Sequence, residues 1–269
     1  MSFVDAIGTV HAAATGEVRI VSLVPSITEL LCDLGLADRI VARTGFCIHP
    51  REQLRSIPKV GGTKDVDLTK LSELAPTHVI LNIDENRRET GAALAEFIPH
   101  RIVTHPNAPE DNLALYQLLG GLFGREAEAA ELATALTDRL ETLAAAQGLS
   151  RRQVLYLIWR DPWMTVSPDT YIARMLALVN WQTVPRQTDS RYPAIQLEAF
   201  DESPDMVLLS SEPYPFRDKH IAEIRDCVRG HPDIRLIAGD MVSWYGSRAI
   251  AGVAYMQALA TELAGGRAA

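Results

Sequence analysis

The sequence has 269 residues, of which 47% are hydrophobic and 22% are charged, and its net charge is −8. These values are typical of a globular protein with one or two domains and a sizeable core. No basic stretch favours nucleic acid or an anionic membrane, and no apolar run approaches the roughly 18 residues that membrane insertion requires.

Residues 1–17 predict a loose N-terminal arm. The arm has neither a basic start nor an apolar core of signal length, so we expect a cytoplasmic protein, or a periplasmic one if a leader has been removed. The three cysteines, Cys32, Cys47 and Cys227, are odd in number and widely spaced. They therefore indicate free thiols in a reducing compartment rather than disulfides.

Residues 18–124 predict an N-terminal α/β lobe. The first strand is expected at 18–24, and Ser26 with Glu29 forms a capping-box pattern that predicts a helix ending at Gly35. Further strands are expected at 39–43, 78–82 and 101–103, and helices at 68–74, 86–97 and 110–119.

Residues 125–147 predict a connecting backbone helix. The segment lacks Gly and Pro, and Leu132, Leu136, Leu140 and Leu143 lie on one helical stripe. A helix of this length spans roughly 34 Å. We interpret it as the link between two lobes.

Residues 148–269 predict a C-terminal α/β lobe. Strands are expected at 154–159, 206–210 and 235–238, and helices at 168–179, 197–202, 219–228 and 247–263. Residues 67–82 and 196–210 also share one pattern: short helix, Pro, buried strand. The predicted fold class is α/β, with two Rossmann-like lobes and mostly parallel sheets joined by one long α-helix, and a single cleft faced by strand-end loops from both lobes.

No nucleophile elbow, P-loop, dinucleotide fingerprint or zinc-protease motif occurs, so we expect no catalytic residues. The strand-end loops are instead rich in aromatic and large polar groups, which can grip a flat ligand and its oxygens. The candidate ligand-binding residues are Arg43, Phe46, Cys47, Thr63, Lys64, Trp159, Arg160, Trp163, Tyr192, Glu212, Tyr214, Trp244, Tyr245 and Arg248. Any one of these aromatic rings could instead simply hold the lobes together.

Cys47 and His49, two residues apart, leave several interpretations open. Cys47 could be a packed thiol, a residue facing the ligand or a nucleophile, and with His49 it supplies only two of the ligands a metal site needs. Arg160 and Asp161 are either a solvated pair or part of a polar wall.

The chain resembles the class III substrate-binding proteins of cobalamin and ferric-siderophore importers, the helical backbone metal receptors. The resemblance covers residues 18–265 and is closest to the cobalamin-binding branch. It rests on the long helix and on the segments RIVSLVPSITE (19–29), VGGT (60–63), PTHVI (76–80), Leu197-Glu198, SPD (203–205) and WYGSR (244–248). A leaderless group of relatives has loops similar to 44–50 and 158–163.

The resemblance implies a monomeric binding protein that performs no chemistry and requires no cofactor. It implies cobalamin, another corrinoid or a metal chelate as the ligand, and an ABC permease as a partner. Family members dock through one exposed Glu per lobe; Glu198 matches the C-terminal position, but Thr69 stands at the N-terminal one. A Trp that grips cobalamin in the periplasmic protein corresponds to Thr63.

Three alternatives accompany this hypothesis of a cytoplasmic binding protein. The chain could be an ordinary importer subunit whose leader is missing, an enzyme or thiol sensor that uses Cys47, or a protein with a direct transition-metal site.

Overall fold

The computed structural model describes residues 2–200 and 202–265. The chain divides into two compact units. The first unit comprises Met1–Pro106, Glu110–Ala135 and Tyr245–Arg248, and the second comprises Asn107–Pro109, Leu136–Trp244 and Ala249–Ala269. The second unit thus includes three residues from the N-terminal half of the chain, and the first unit includes four residues from near the C-terminal end of the chain.

The first unit is built on a four-stranded parallel sheet. The unit begins with a separate two-stranded hairpin, formed by β1 (Ser2–Val4) and β2 (Val10–Ala12). The four strands of the parallel sheet are β3 (Ile20–Ser22), β4 (Ile40–Arg43), β5 (His78–Asn82) and β6 (His100–Thr104). Its helices are α1 (Pro25–Asp33), α2 (Arg51–Leu54), α3 (Leu68–Glu73), α4 (Arg88–Leu94) and α5 (Asp111–Phe123). The sheet order is β4-β3-β5-β6, and every pairing is parallel. Strands β3 and β5 are buried at every position, as expected of a parallel sheet covered on both faces.

The long helix α6 (Glu126–Ala144) follows α5 almost directly. Between them Gly124 adopts the left-handed conformation, with φ of 65°, and its N–H donates to the carbonyl of Gly120. This is a common way for a helix to end, and glycine adopts it without strain. The predicted helix is confirmed, although it stops three residues early, and the division between the two units falls inside it, after Ala135.

The second unit is also a four-stranded parallel sheet, ordered β10-β9-β7-β8. Its strands are β7 (Arg152–Leu157), β8 (Trp181–Thr183), β9 (Met206–Ser210) and β10 (Asp233–Ile237). Its helices are α7 (Tyr171–Ala177), α8 (Asp218–Cys227), α9 (Asp240–Ser243) and α10 (Arg248–Gly265). Two α/β units with parallel sheets and a long helix confirm the predicted fold class.

The expectation of a loose arm at residues 1–17 is wrong. Strands β1 and β2 pair as an antiparallel hairpin, with Phe3 opposite His11. Phe3 packs against Gly121 of α5 so closely that a Cβ at Gly121 would lie 2.2 Å from the Phe3 ring. Each strand is only three residues long and Val4 directly follows Phe3, so β1 shows no alternation of apolar and polar residues that would predict a strand.

The predicted capping box at the start of α1 is also wrong. The helix begins two residues earlier than a cap at Ser26 implies, at Pro25 after Val24, and no side chain caps it. Proline is favourable at this first position because its φ is already helical. Glu29 is therefore free of a capping role and instead binds Arg248.

Several shorter elements also differ from expectation. Strand β8 and helices α2 and α9 were not predicted, and the helix expected at 197–202 is a 3₁₀ turn, Leu197–Ala199. Helix α7 begins after Thr170, whose hydroxyl accepts from the Ala173 N–H, rather than at the Ser167-Pro168 pair. Local capping signals recur within a few residues here, and the backbone geometry decides between them.

Candidate functional site

The carboxyl ends of the first sheet carry three large exposed apolar side chains. The loop after β4 presents Phe46 and Ile48, which are 63% and 54% exposed, and Ile83 after β5 is 45% exposed. Because the strands are parallel, these loops leave the sheet at the same edge. Large exposed apolar side chains at the carboxyl ends of the strands indicate a surface that binds a ligand or another protein.

Arg43 is not part of that surface. Its side chain is buried, and its guanidinium donates to the carbonyl oxygens of Leu54 (3.0 and 3.2 Å), Cys47 (2.7 Å) and Thr44 (3.3 Å). All three of its nitrogens are used within the loop that follows β4. The structure therefore gives Arg43 the role of bracing this loop, in contrast to the predicted ligand contact.

The Cys47 thiol is completely buried below the same loop. Thr28 Oγ1 donates to Cys47 Sγ at 3.0 Å, and Thr44 Oγ1 lies 3.1 Å from it. Burial raises the pKa of this thiol, although the threonine hydrogen bonds act in the opposite direction. A protonated, enclosed thiol suits the packed role rather than that of a nucleophile.

No metal cluster lies near Cys47 and His49. Within residues 2–200 and 202–265, no group of three or more His, Cys, Asp or Glu side chains is arranged to hold a metal ion.

Thr63 and Lys64, both predicted to bind the ligand, lie in a loop that is hydrogen-bonded to the loop after β5. Asn86 donates to the carbonyl oxygens of Thr63 (3.0 Å) and Leu23 (3.1 Å), and Lys64 Nζ donates to that of Asp84 (2.8 Å). Gly62 lies directly under the Phe46 ring, where a Cβ would approach Cε2 to 3.2 Å. Asn86, which holds three loops together, was missed because a lone Asn after a strand carries no distinctive pattern.

Tyr245 and Arg248 belong to the first unit although they lie near the C-terminus. The Tyr245 hydroxyl donates to Glu85, and burial, followed by the Glu85 charge, raises the pKa of Tyr245 well above its usual value. Arg248 forms a two-point ion pair with Glu29, at 2.7 Å through Nε, with both side chains largely buried. Both residues therefore have partners within this unit.

The second unit gathers four rings in the loops after β7 and β9. Trp159 lies edge-on to Tyr214 with centroids 5.7 Å apart, Tyr214 is 4.8 Å from Phe216, and Phe216 stacks on Trp163 at 6.1 Å. Trp159 remains 40% exposed at the end of this cluster. The structure thus brings together three predicted residues, and it adds Phe216, which was not among the predicted residues.

Arg160 extends the ring cluster with a charged group. Its guanidinium lies 5.5 Å from the centroid of Trp163 and donates to both carboxylate oxygens of Glu223, at 3.1 Å through Nε. It also binds Asp161. The hydrogen bond from Arg160 lowers the pKa of Glu223. Arg160 and Asp161 thus form a polar group together with Glu223 of α8.

Glu212 and Trp244, both predicted, bind each other. Glu212 Oε1 accepts from the indole Nε1 of Trp244 at 2.5 Å and from Ser243 Oγ at 2.8 Å. This links the loop after β9 to the loop after α9. Trp244 is only 9% exposed, so it supports this loop pair rather than lying on the surface.

Tyr192 and Glu198 lie on the segment between β8 and β9, which is not one of the loops that carry the ring cluster. Tyr192 is half-buried and its N–H donates to Ser190 Oγ at 3.3 Å. Glu198 is exposed on the 3₁₀ turn Leu197–Ala199, and Thr69 is exposed on α3.

Two α/β units, each with a parallel sheet and with aromatic residues in its strand-end loops, are typical of a class of small-molecule binding proteins. The family model described as periplasmic binding protein matches residues 20–232, and this chain belongs to that family. Its members are substrate-binding proteins. The family description gives the expected cytoplasmic location no support.

Individual relatives agree with this assignment. A vitamin B12-binding protein of Photorhabdus laumondii is 21% identical over 202 residues, which cover 74% of this chain and 73% of the relative. The periplasmic vitamin B12 binding protein of Vibrio cholerae superposes with a TM-score of 0.76 at 16% identity, over 92% of this chain and 97% of the other. A periplasmic heme binding protein of Pseudomonas aeruginosa also gives 0.76 at 18% identity, over 90% and 91%.

None of the helices that the structure describes is both long and apolar enough to cross a membrane.

Proposed function

We propose that the protein binds a cobalamin-like or other metal-chelate small molecule at the loops that follow its parallel strands, and that it performs no reaction on this ligand. The observation that carries the proposal is the exposure of Phe46 and Trp159, each at a strand-end loop of its own unit. Exposed aromatic rings bind the flat face of a macrocycle at low entropic cost. The named ligands of the relatives, vitamin B12 and heme, are of this kind.

The proposal of a purely binding role rests on the surroundings of Cys47. The thiol is fully buried, its pKa is raised, and it is hydrogen-bonded to the hydroxyls of Thr28 and Thr44 and to the carbonyl of Ser22. An activated thiol requires a lowered pKa and an adjacent base. The enzyme and sensor alternatives therefore lack the group on which they depend.

The proposal is tested with cyanocobalamin, dicyanocobinamide and haemin, each titrated while absorbance and melting temperature are followed. A ligand at about 100 times its Kd adds about 2.7 kcal/mol to stability, which raises the melting temperature by roughly 5 °C or more. Trp159→Ala and Phe46→Ala are expected to weaken binding about tenfold each. Absence of any shift across the three compounds would overturn the proposal.

The matched control is Leu236→Ala. Leu236 is 39% exposed, as Trp159 is, but lies within β10 rather than in a loop at its carboxyl end. We expect this variant to bind with unchanged affinity. Equal losses in all three variants would point to general destabilisation instead of a ring-lined site.

A second proposal concerns an ABC permease as partner. Glu198 is exposed at the position where the resemblance places one docking carboxylate, while Thr69 takes the place of the other. In proteoliposomes that carry a cobalamin permease, Glu198→Lys should lower ligand uptake and Thr69→Glu should raise it. Uptake that responds to neither change would argue against docking through this pair.

A further inference from the structure

A cavity of about 610 Å³ lies in the first unit. The N-terminal hairpin, the β5 and β6 strands and the start of α4 enclose it. Its walls include Ile7, Val10, Ile83, Arg87, Arg88 and Arg101. A cavity of this size is within the usual range for small-molecule sites.

The hairpin wall is fixed to the unit. The Asp5 carboxylate, with no exposed surface, accepts from the N–H groups of Ile7 (3.1 Å), Thr9 (2.9 Å) and Val103 (3.1 Å). The N–H of Ala6 also donates to the Val103 carbonyl at 2.9 Å. The hairpin turn is thereby tied to the β6 edge, and the cavity is a preformed feature.

The apolar side chains of the hairpin that line the cavity are mostly exposed rather than packed against the rest of the unit. Ile7 is 62% exposed and Val10 is 64% exposed, although both lie on an ordered hairpin that could have turned polar side chains to solvent. Covering either side chain removes apolar surface from water, so an apolar ligand body would be stabilised here.

The charged part of the cavity has one sign. The lining residues include Arg87, Arg88 and Arg101 but no Asp or Glu. Arg87 reaches Asp65 at 3.4 Å, and Arg101 donates to the Gly91 carbonyl. Within residues 2–200 and 202–265, Arg88 has no ion pair and no side-chain hydrogen bond. Guanidinium groups bind carboxylates in planar, two-point geometry.

We propose that this cavity is a second binding site, which takes a small amphipathic carboxylate with an apolar body, in the manner of a medium-chain fatty acid. The apolar body lies against Ile7, Val10 and Ile83, and the carboxylate faces Arg88 and Arg101. The site uses none of the aromatic rings assigned to the metal chelate, and it shares Ile83 with the exposed apolar surface at the strand ends of the first sheet.

The test is a calorimetric titration with decanoate, compared with decanol and with decyltrimethylammonium, which share the chain but not the charge. Decanoate is expected to bind, and the other two to bind at least tenfold more weakly. Added salt should weaken decanoate binding, because the arginines are exposed. Absence of decanoate binding, or equal binding of all three, overturns the proposal.

Variants locate the binding. The double substitution Arg88→Gln with Arg101→Gln, and separately Ile7→Asp, are each expected to weaken decanoate binding at least fivefold. Arg151→Gln, an exposed arginine of the second unit bound to Gln182, is the matched control and should leave binding unchanged. Circular dichroism checks that each variant folds. Unchanged affinity in the folded cavity variants would contradict the site.

The variant Trp159→Ala distinguishes the second site from the proposed metal-chelate site. This variant should retain decanoate binding while losing affinity for the chelate. Decanoate affinity that falls in parallel with chelate affinity in Trp159→Ala would show that both compounds use the strand-end loops, and the second site would be rejected.

Discussion

Arg43 and Arg248 are each bound within the first unit, Arg43 by carbonyl oxygens and Arg248 by Glu29. A sequence shows that Arg43 lies at the end of a strand but not that carbonyl groups surround it. The geometry of the loop after β4 decides this, and that geometry depends on contacts distant in the chain. A residue type at a strand end therefore does not by itself show whether an arginine is exposed to a ligand or buried among carbonyl groups.

Arg43→Met should be strongly destabilising. The substitution removes the guanidinium donors of the Cys47 and Leu54 carbonyl oxygens, of which Leu54 keeps the Ile57 N–H, at a cost of about 2–4 kcal/mol in the free energy of unfolding. Urea denaturation measures this change. The control is Arg39→Met, whose side chain is 44% exposed beside Asp38 and which should change stability by less than about 0.5 kcal/mol.

Similar losses in the two variants would contradict the bracing role of Arg43.

The thiols should differ in reactivity. Cys47 and Cys32 are buried, whereas Cys227 is half-buried at the end of α8 and so more accessible to a reagent. Burial raises the pKa of all three thiols, to about 12 for Cys32. With a disulfide reagent at pH 8, the folded protein should release about one equivalent, and the unfolded protein three. The variant Cys227→Ser should remove the fast phase.

A fast reaction that survives in Cys227→Ser and disappears in Cys47→Ser would reverse this conclusion and restore the sensor hypothesis.

At the scale of elements, the central strands β5 and β9 were readable because they are buried at every position and contain continuous apolar runs. Strands β5 and β9 were predicted at their observed limits. The short strands β1, β2 and β8 were not, since three residues carry too little periodicity to identify a strand. Their formation depends on a neighbouring edge, which only the folded chain supplies.

The edge pair β5–β6 should make the stability pH-dependent. His78 and His100 are directly opposite each other, with ring centroids 4.6 Å apart. The pKa of His78 is lowered to about 4, first by burial and then by the charges of His100 and His11. Since the unfolded chain binds this proton more readily, the stabilisation is complete above about pH 6.5 and is lost as pH falls towards 4.

The loss approaches about 3 kcal/mol across this window, at roughly 1.4 kcal/mol per pKa unit. Urea denaturation between pH 4 and 7 measures it. His78→Phe should flatten the profile relative to the unsubstituted protein, while His231→Asn, at an exposed position, should not. Parallel profiles for the protein and His78→Phe would show that other groups cause the acid sensitivity.

At the scale of the whole molecule, the order of elements predicted the two α/β units but not how chain segments are distributed between them. The motif at 244–248 was recognised by resemblance. Its division, with Trp244 in the second unit and Tyr245–Arg248 in the first, could not be read from sequence. Pairing of residues more than a hundred positions apart leaves no local pattern, whereas burial along one strand does.

This distribution predicts that a chain ending at Ser243 does not fold. The second unit would lose the buried side chains of Ala249, Val253, Met256, Ala260 and Leu263 from α10. The first unit would lose Gly246, whose N–H donates to Asn112 (2.6 Å) and whose carbonyl accepts from Tyr116 (2.8 Å). The apolar loss alone is about 5–10 kcal/mol, comparable with the total stability of a domain.

Deletion of residues 2–15 is the comparison, because it removes only the hairpin and its contacts with α5 and β6. We expect that protein to keep a cooperative thermal transition at a lower midpoint, and the chain ending at Ser243 to show none by circular dichroism. A cooperative transition in the C-terminally shortened chain would mean that each sheet is stable without residues 244–265, and the interleaved chain path would then matter for ligand binding rather than for folding.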